Sequence, residues 1–293
     1  LINSELYSGL LVGQKDGGIA GYEGYFDADY QASVVLATDI TNWASAPAIH
    51  SIAQKKIGRS SIYYDDFYPI LTATADKFNI GTGNFTFETW IYPDSGWSHA
   101  AHNIEELFVH QDTDDNGWKL TYDETNFHFY GDNANTKTNI AHGLTGSAWA
   151  HIAITRTGTG SNNIVLWVNG VSKGTATWSG DASYTKVEIG GGTGLGQSHA
   201  GYLDEVRYSK IARYSSNFTN FGQGGGTISS PAEFTSDANT LLLIHSNKGV
   251  SGSTTFIDSS LLPVSTHLNV SYSADISSVW IPMGETVTAS ILK

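Results

Sequence analysis

From about Ser60 onward apolar and polar side chains alternate with a period of two, and turn residues interrupt the pattern roughly every 8 to 15 positions, the signature of short strands. In Phe85–Tyr92, Phe85, Phe87, Thr89 and Ile91 share one face, while Thr86, Glu88, Trp90 and Tyr92 share the other. Both faces are bulky, which predicts a strand covered on two sides. The same reading predicts strands over Glu106–His110, Trp118–Tyr122, Phe127–Gly131, Trp149–Arg156, Ile164–Val168, Thr185–Ile189, Tyr202–Ser209 and Thr240–His245, with further strands over His267–Tyr272 and Thr286–Leu292. Asn169-Gly170 is the pair that a two-residue type I′ hairpin requires, so Ile164–Val168 is expected to fold back on Val171–Thr177. No amphipathic helix competes with these strands. The fold class that follows is all-β, an antiparallel two-sheet jelly-roll sandwich with N- and C-terminal extensions.

Three stretches divide the chain. Residues 1–24 read as a Gly-rich arm or linker, 25–222 as the jelly roll, and 223–293 as a Gly-rich joint followed by a β extension. Phe234-x-x-Asp237 and Leu242–His245 faintly repeat Phe26-x-x-Asp29 and Val34–Ala37 at an offset of 208 residues. An unpaired strand exposes amides, so the extension should complete its own sheet or that of a neighbour, and removal of 231–293 is expected to leave a folded core and lower assembly.

Composition sharpens this picture. Only 15% of the 293 residues are charged, and the 32 glycines suit many tight turns. A net charge of −13 with no Lys/Arg tract makes nucleic acid and anionic membrane surfaces poor partners, and leaves cations and neutral sugars. The absence of cysteine excludes disulfides and thiolate metal sites and tilts the expected source toward bacteria or their viruses. No apolar run is long enough for membrane insertion, and the start LINSELYSG lacks the pattern of a signal peptide.

The chemistry-bearing residues are few. In Gly201–Lys210, GYLDEVRYSK, regular alternation sends Leu203, Glu205 and Arg207 to one face and Tyr202, Asp204, Val206 and Tyr208 to the other, so that Asp204 and Glu205 point apart. A retaining glycosidase needs its two carboxyls about 5 Å apart on one side of the substrate. Arg207 is expected to pair with Glu205 and hold its pKa down, the wrong direction for a general acid. Asp204 is expected either to cap backbone amides or to bind Ca²⁺ with Asp65 as companion. Asp112, Asp114 and Asn116, with Asp123 at the twelfth position, nearly satisfy a calcium-loop pattern, although strands rather than helices flank them and an acidic hairpin loop is the simpler reading. Ile189–Gly196 is Gly-rich but lacks the Lys-Ser/Thr of a phosphate cradle, and no HExxH or G-x-S-x-G is present. Trp97, Trp118 and Trp178 fall near predicted turns or strand ends, where an exposed ring face can stack on a sugar.

Three blocks, SSIYYDD with FNIGTGNFTFETWIYP, WAHIAITRTGTGSNNIVLWVNGV, and IGGGTGLGQSHAGYLDEVRYSKIARYSSNFT, resemble the laminin G-like, concanavalin A-like jelly roll, above all the versions in bacteriophage structural proteins and bacterial surface proteins. The resemblance spans roughly residues 26 to 221. It implies a two-sheet sandwich, a convex side that holds Ca²⁺ and a surface that binds glycans or partners, yet the same sandwich hosts lectins, glucanases and structural modules. The function expected is a non-catalytic structural or adhesion protein of a phage particle (fibre, tail or capsid decoration), exposed on the virion, forming a homo-oligomer or contacting other virion proteins and binding host-surface glycans. A calcium-dependent lectin on a bacterial surface or filament is the alternative, and a glycoside hydrolase dependent on Glu205 stands last.

Overall fold

Alternation is translated into β structure almost everywhere that the computed structural model describes the chain, namely residues 39–42, 47–65, 70–94, 104–112, 116–132, 137–192, 198–222 and 226–260. These residues belong to one compact unit, Thr38–Ser260. The strands are β1 (Asp39–Asn42), β2 (Ile49–Ser51), β3 (Ser61–Asp65), β4 (Leu71–Thr74), β5 (Phe85–Pro93), β6 (Glu105–Gln111), β7 (Gly117–Tyr122), β8 (Asn126–Gly131), β9 (Lys137–Ala141), β10 (Ala150–Arg156), β11 (Ile164–Val168), β12 (Val171–Ala176), β13 (Lys186–Ile189), β14 (Ala200–Ser209) and β15 (Thr240–Ile244). Apart from a 3-10 turn at Asp76–Phe78, no helix is found among the described residues. The predicted strands at His267–Tyr272 and Thr286–Leu292, the arm 1–24 and the N-terminal half of the internal echo lie outside the described residues.

Two antiparallel sheets form the sandwich expected of a jelly roll. One has seven strands in the order β1-β4-β13-β6-β7-β8-β9, and the other has eight, β12-β11-β10-β5-β14-β3-β2 with β15 on β14. The hairpin between β11 and β12 turns on Asn169 and Gly170 at φ 49° and 75°, with Val168 opposite Val171, as the Asn-Gly pair requires. Between the sheets lies an aromatic core. Phe85 stacks on Trp118 at 4.4 Å and Phe87 on Phe108 at 4.2 Å, and Leu120, Phe129, Ile152, Ile154, Leu203, Val206 and Tyr208 fill the space around them. Each such side chain removed from water stabilises the fold by about 1.5–3 kcal/mol.

The second face of β5 is covered as its sequence predicted. Trp90 packs outside the core with Ile57, Phe221, Phe234 and Leu243, so Tyr214, Phe218, Phe221 and Phe234 cover the outer face of the eight-stranded sheet. Beyond Phe234 the chain joins the sheet itself: β15 pairs with β14 over Val206–Ser209, while β3 pairs with β14 over Ala200–Leu203. Since β5 occupies the other edge of β14 along its whole length, β3 and β15 share one edge end to end. The described part of the C-terminal extension therefore completes its own sheet. The expectation that 231–293 can be removed from a folded core does not fit this pairing, because the deletion would strip the edge of β14 and take Phe234 and Leu241–Ile244 out of buried positions.

Candidate functional site

Regular alternation fails at the point where β14 exchanges β3 for β15. Asp204 opposes Trp90 and Arg207 opposes Glu88, so Glu205 and Val206 together face the single Thr89: a β-bulge, with Glu205 in the left-handed region at φ 56°. One extra residue returns the strand to register with its faces exchanged. Leu203, Val206 and Tyr208 enter the core, while Asp204, Glu205 and Arg207 all reach the outer side. This corrects the expected geometry: the adjacent carboxylates do not point apart, and Arg207 is not the partner of Glu205. A sequence signal was present in the spacing of the apolar residues, three between Leu203 and Val206 and two between Val206 and Tyr208, which no uninterrupted strand can place on one face.

Each carboxylate is sealed by a different element. Asp204 Oδ2 accepts the amides of Lys56 and Ile57 at 2.8 and 2.9 Å. Glu205 accepts the Phe234 amide at 2.7 Å and the His245 imidazole at 2.8 Å. Both residues are fully buried. Burial, followed by the charge of Glu205, pushes the Asp204 carboxyl well above the usual range. Burial also raises Glu205, against the pull of His245 and the Phe234 amide. Arg207 instead clamps Glu88, with Nε at 2.9 Å and Nη2 at 2.5 Å from Oε1, and donates from Nη1 to the carbonyls of Gly222 and Thr235 at 2.8 and 2.7 Å. The other Glu88 oxygen receives the Tyr214 hydroxyl at 2.7 Å and meets His151 Nε2 at 3.2 Å. Burial alone would raise the Glu88 carboxyl, but Arg207, with His151 and Tyr214, brings it down to about 2. Sequence reasoning missed Glu88, His151, Tyr214 and His245 as members of this array because their partners lie 40 to 126 residues away.

Of the expected ion ligands, Asp112 and Asn116 lie together, whereas Asp65 and Asp123 stand apart from their expected companions. Asp65 is opposite Ala200, four positions along β14 from Asp204, or about 13 Å at strand rise, whereas ligands of one Ca²⁺ sit within about 2.6 Å of it. Asp112 closes the β6–β7 turn by accepting Asn116 N and Nδ2 at 3.0 and 2.9 Å. Asp123 lies beyond the far end of the six-residue β7, about 20 Å away at strand rise, where it accepts Thr125, Asn126 and His128. Straight strands separate positions that an EF-type loop would fold together. Asp114 lies outside the described residues, and among the described residues no three His, Asp or Glu side chains form a metal-binding group. Of the tryptophans, Trp97 also lies outside the described residues. Trp118 is fully buried against Phe85, and Trp178 is buried with the Arg156 guanidinium 4.2 Å above its ring, so neither offers a face to a sugar.

The outer side of the seven-stranded sheet is different in kind. Lys119 and Thr121 on β7 stand opposite Tyr130 and His128 on β8, and these four side chains alternate with the core residues Trp118, Leu120, Phe127 and Phe129. Lys119 Nζ lies 3.3 Å from Glu106 and 5.1 Å from the Tyr130 ring centroid. His128 meets Asn139 at 2.8 Å and Asp123 at 3.0 Å, and Lys186 meets Glu188 at 3.1 Å. Lys119, Thr121, His128 and Tyr130 are nevertheless buried, and Asn139 on β9 is the exposed member of this group.

A family model, described as the concanavalin A-like lectin/glucanases superfamily, matches residues 70–217, half of the chain. The chain belongs to this superfamily. Among solved structures it is similar to a candidate carbohydrate binding protein from Bacteroides ovatus ATCC 8483, with 13% identity and a TM-score of 0.46 over 78% of this chain and 56% of that one. It is also similar to the binding domain of Paraclostridial Mosquitocidal Protein 1, with 14% identity and a TM-score of 0.44 over 60% and 45%. The botulinum neurotoxin serotype D binding domain gives 11% identity and a TM-score of 0.45 over 60% and 44%. The chain spans about half the length of these structures. Comparison with curated protein sequences gives no match. The superfamily match runs from β4 to just before Phe218, so β1–β3 and the segment 226–260 that seals Glu205 and Arg207 fall outside it.

Proposed function

We propose that this chain is a non-catalytic structural and adhesion protein of a phage particle, whose sandwich binds host-surface glycans and whose flanking residues, 1–37 and 261–293, mediate assembly. The observation that carries the non-catalytic reading is the sealing of Asp204 and Glu205: both carboxylates lie on one side of the strand, as a glycosidase would need, but both are buried and bonded to backbone amides, which leaves a sugar no approach. Superfamily membership supports glycan binding, and the exposed Asn139 on β9 is a polar side chain of the seven-stranded sheet within reach of a sugar. The resemblance to phage structural proteins supports the virion setting. Assembly is assigned to the flanks because β15 is already paired within its own sheet.

A glycan array probed with the full chain tests the adhesion reading, with polysaccharide hydrolysis measured in parallel and mass spectrometry of purified virus particles. Binding that falls at least tenfold in Asn139→Ala, without release of reducing sugar, supports it. Hydrolysis abolished by Glu205→Gln would overturn the non-catalytic reading, and presence of the chain on cell envelopes but not in particles would overturn the virion setting.

A further inference from the structure

The segment 226–260 is pinned where β15 ends, by two consecutive residues that turn to two different strands. His245 Nδ1 lies 2.8 Å from Glu205 Oε2 on β14. Ser246, at φ 55°, reverses the chain toward β2, where its hydroxyl lies 2.8 Å from His50 Nδ1. His50 Nε2 meets the Thr255 carbonyl at 2.9 Å, and its ring stacks on Phe256 at 4.2 Å. Both ends of the 246–256 loop thus close on one imidazole. The two histidines sit in opposite surroundings. His245 faces the carboxylates of Glu205 and Glu233, with Arg207 as the opposing cation and Asp204 beside Glu205. His50 is buried against Phe256 and two carbonyls, and the charge that acts on it is the Lys248 ammonium.

We propose that residues 226–260 form a pH-gated clasp, locked only while the His245 imidazolium rests on Glu205 and the His50 imidazole, uncharged, accepts from Ser246 and donates to Thr255. Outside that window one lock opens. The clasp then loosens as a unit and bares the Val206–Ser209 edge of β14 together with Leu241–Ile244. The directions of titration agree with this geometry. Burial opposes charge on His245, but the bond to and charge of Glu205 outweigh it and raise the pKa above 6.5. Burial lowers His50 below 6.5, against its two carbonyl bonds. A raised folded value contributes stability that is complete below the unfolded value and is lost as pH rises through the folded one, and a lowered histidine does the reverse. The closed window therefore brackets 6.5 from both sides. Asp204 and Glu205, both raised, contribute stability that is lost as pH rises from the usual carboxylate range through their folded values.

Hydrogen exchange of the full chain from about pH 5 to about pH 9, corrected for intrinsic rates, tests the clasp through the segment 240–246, with 150–156 as the control for global opening. Protection of 240–246 is expected to peak near the middle of the range and to fall on each side by no more than about tenfold per pH unit, the limit for one proton. His245→Gln should flatten the alkaline limb alone and His50→Gln the acidic limb alone. Protection independent of pH, or variants that leave both limbs intact, would overturn the clasp. Should a variant not fold, NMR titration of the unmodified chain decides: His245 must titrate above 6.5 and His50 below it, and midpoints on the same side refute the proposal.

Discussion

The two outer faces of the sandwich carry similar residues, bury most of them, and bond them to different kinds of partner. On the eight-stranded sheet Glu88, His151, Asp204, Glu205 and Arg207 lie beneath other parts of the same chain, and all their side-chain polar atoms except His151 Nδ1 and Asp204 Oδ1 have a hydrogen-bond partner among the described residues. On the seven-stranded sheet Glu106, Lys119, His128, Asn139, Lys186 and Glu188 bond mainly to neighbours on adjacent strands of the same sheet. The first arrangement attaches a distant segment to the sheet, and the second ties residues of one sheet to one another, with Glu106, Lys119, His128 and Glu188 buried as well. Titratable residues on a β-sandwich therefore reveal little about catalysis until it is known what covers them.

Truncation breaks this comparison most severely. Removal of residues 226–260 uncovers Arg207, Glu88 and the β14 edge together, and we expect loss of a cooperative unfolding transition, checked by calorimetry. Arg207→Met comes next, because it leaves the buried Glu88 charge without its cation; the expected loss is about 3–5 kcal/mol by denaturant titration. The same pair sets the acid limit. With a folded value of about 2 against an ordinary 4.5, Glu88 contributes stability that is complete above 4.5 and is lost as pH falls toward 2, so acid unfolding followed by circular dichroism should lose much of that dependence in Arg207→Met. Tyr214→Phe, which removes one donor to Glu88, should cost about 1–3 kcal/mol. On the opposite face Lys186→Ala removes a half-exposed ion pair and should change stability by less than about 1 kcal/mol. A large loss at Lys186, or none at Arg207, would erase the contrast between the faces.

Much of the fold could be read from the chain because strand alternation is a local rule. The faces of β5, the Asn-Gly hairpin and most strands between Glu105 and Ser209 follow from side chains within a few residues of one another. The candidate site could not be read in the same way. Asp112 and Asp123 match a calcium loop in spacing, but a straight β7 holds them apart. Trp118 and Trp178 sit near turns, as an exposed platform would, yet their rings fill the core. Spacing along a chain becomes distance in space only once the element between two residues is known.

Read without coordinates, Gly201–Lys210 specifies a strand, two carboxylates and an arginine. Which way those groups point depends on one bulge, and the bulge lies where β14 passes from β3 to β15, a strand about thirty residues farther along the chain. Periodicity specifies faces for as long as pairing runs unbroken. Where a strand changes partners, the direction of each side chain and the burial of each charge are set by segments distant in sequence, and tertiary packing alone decided that Asp204 and Glu205 would share a side and be closed off from solvent.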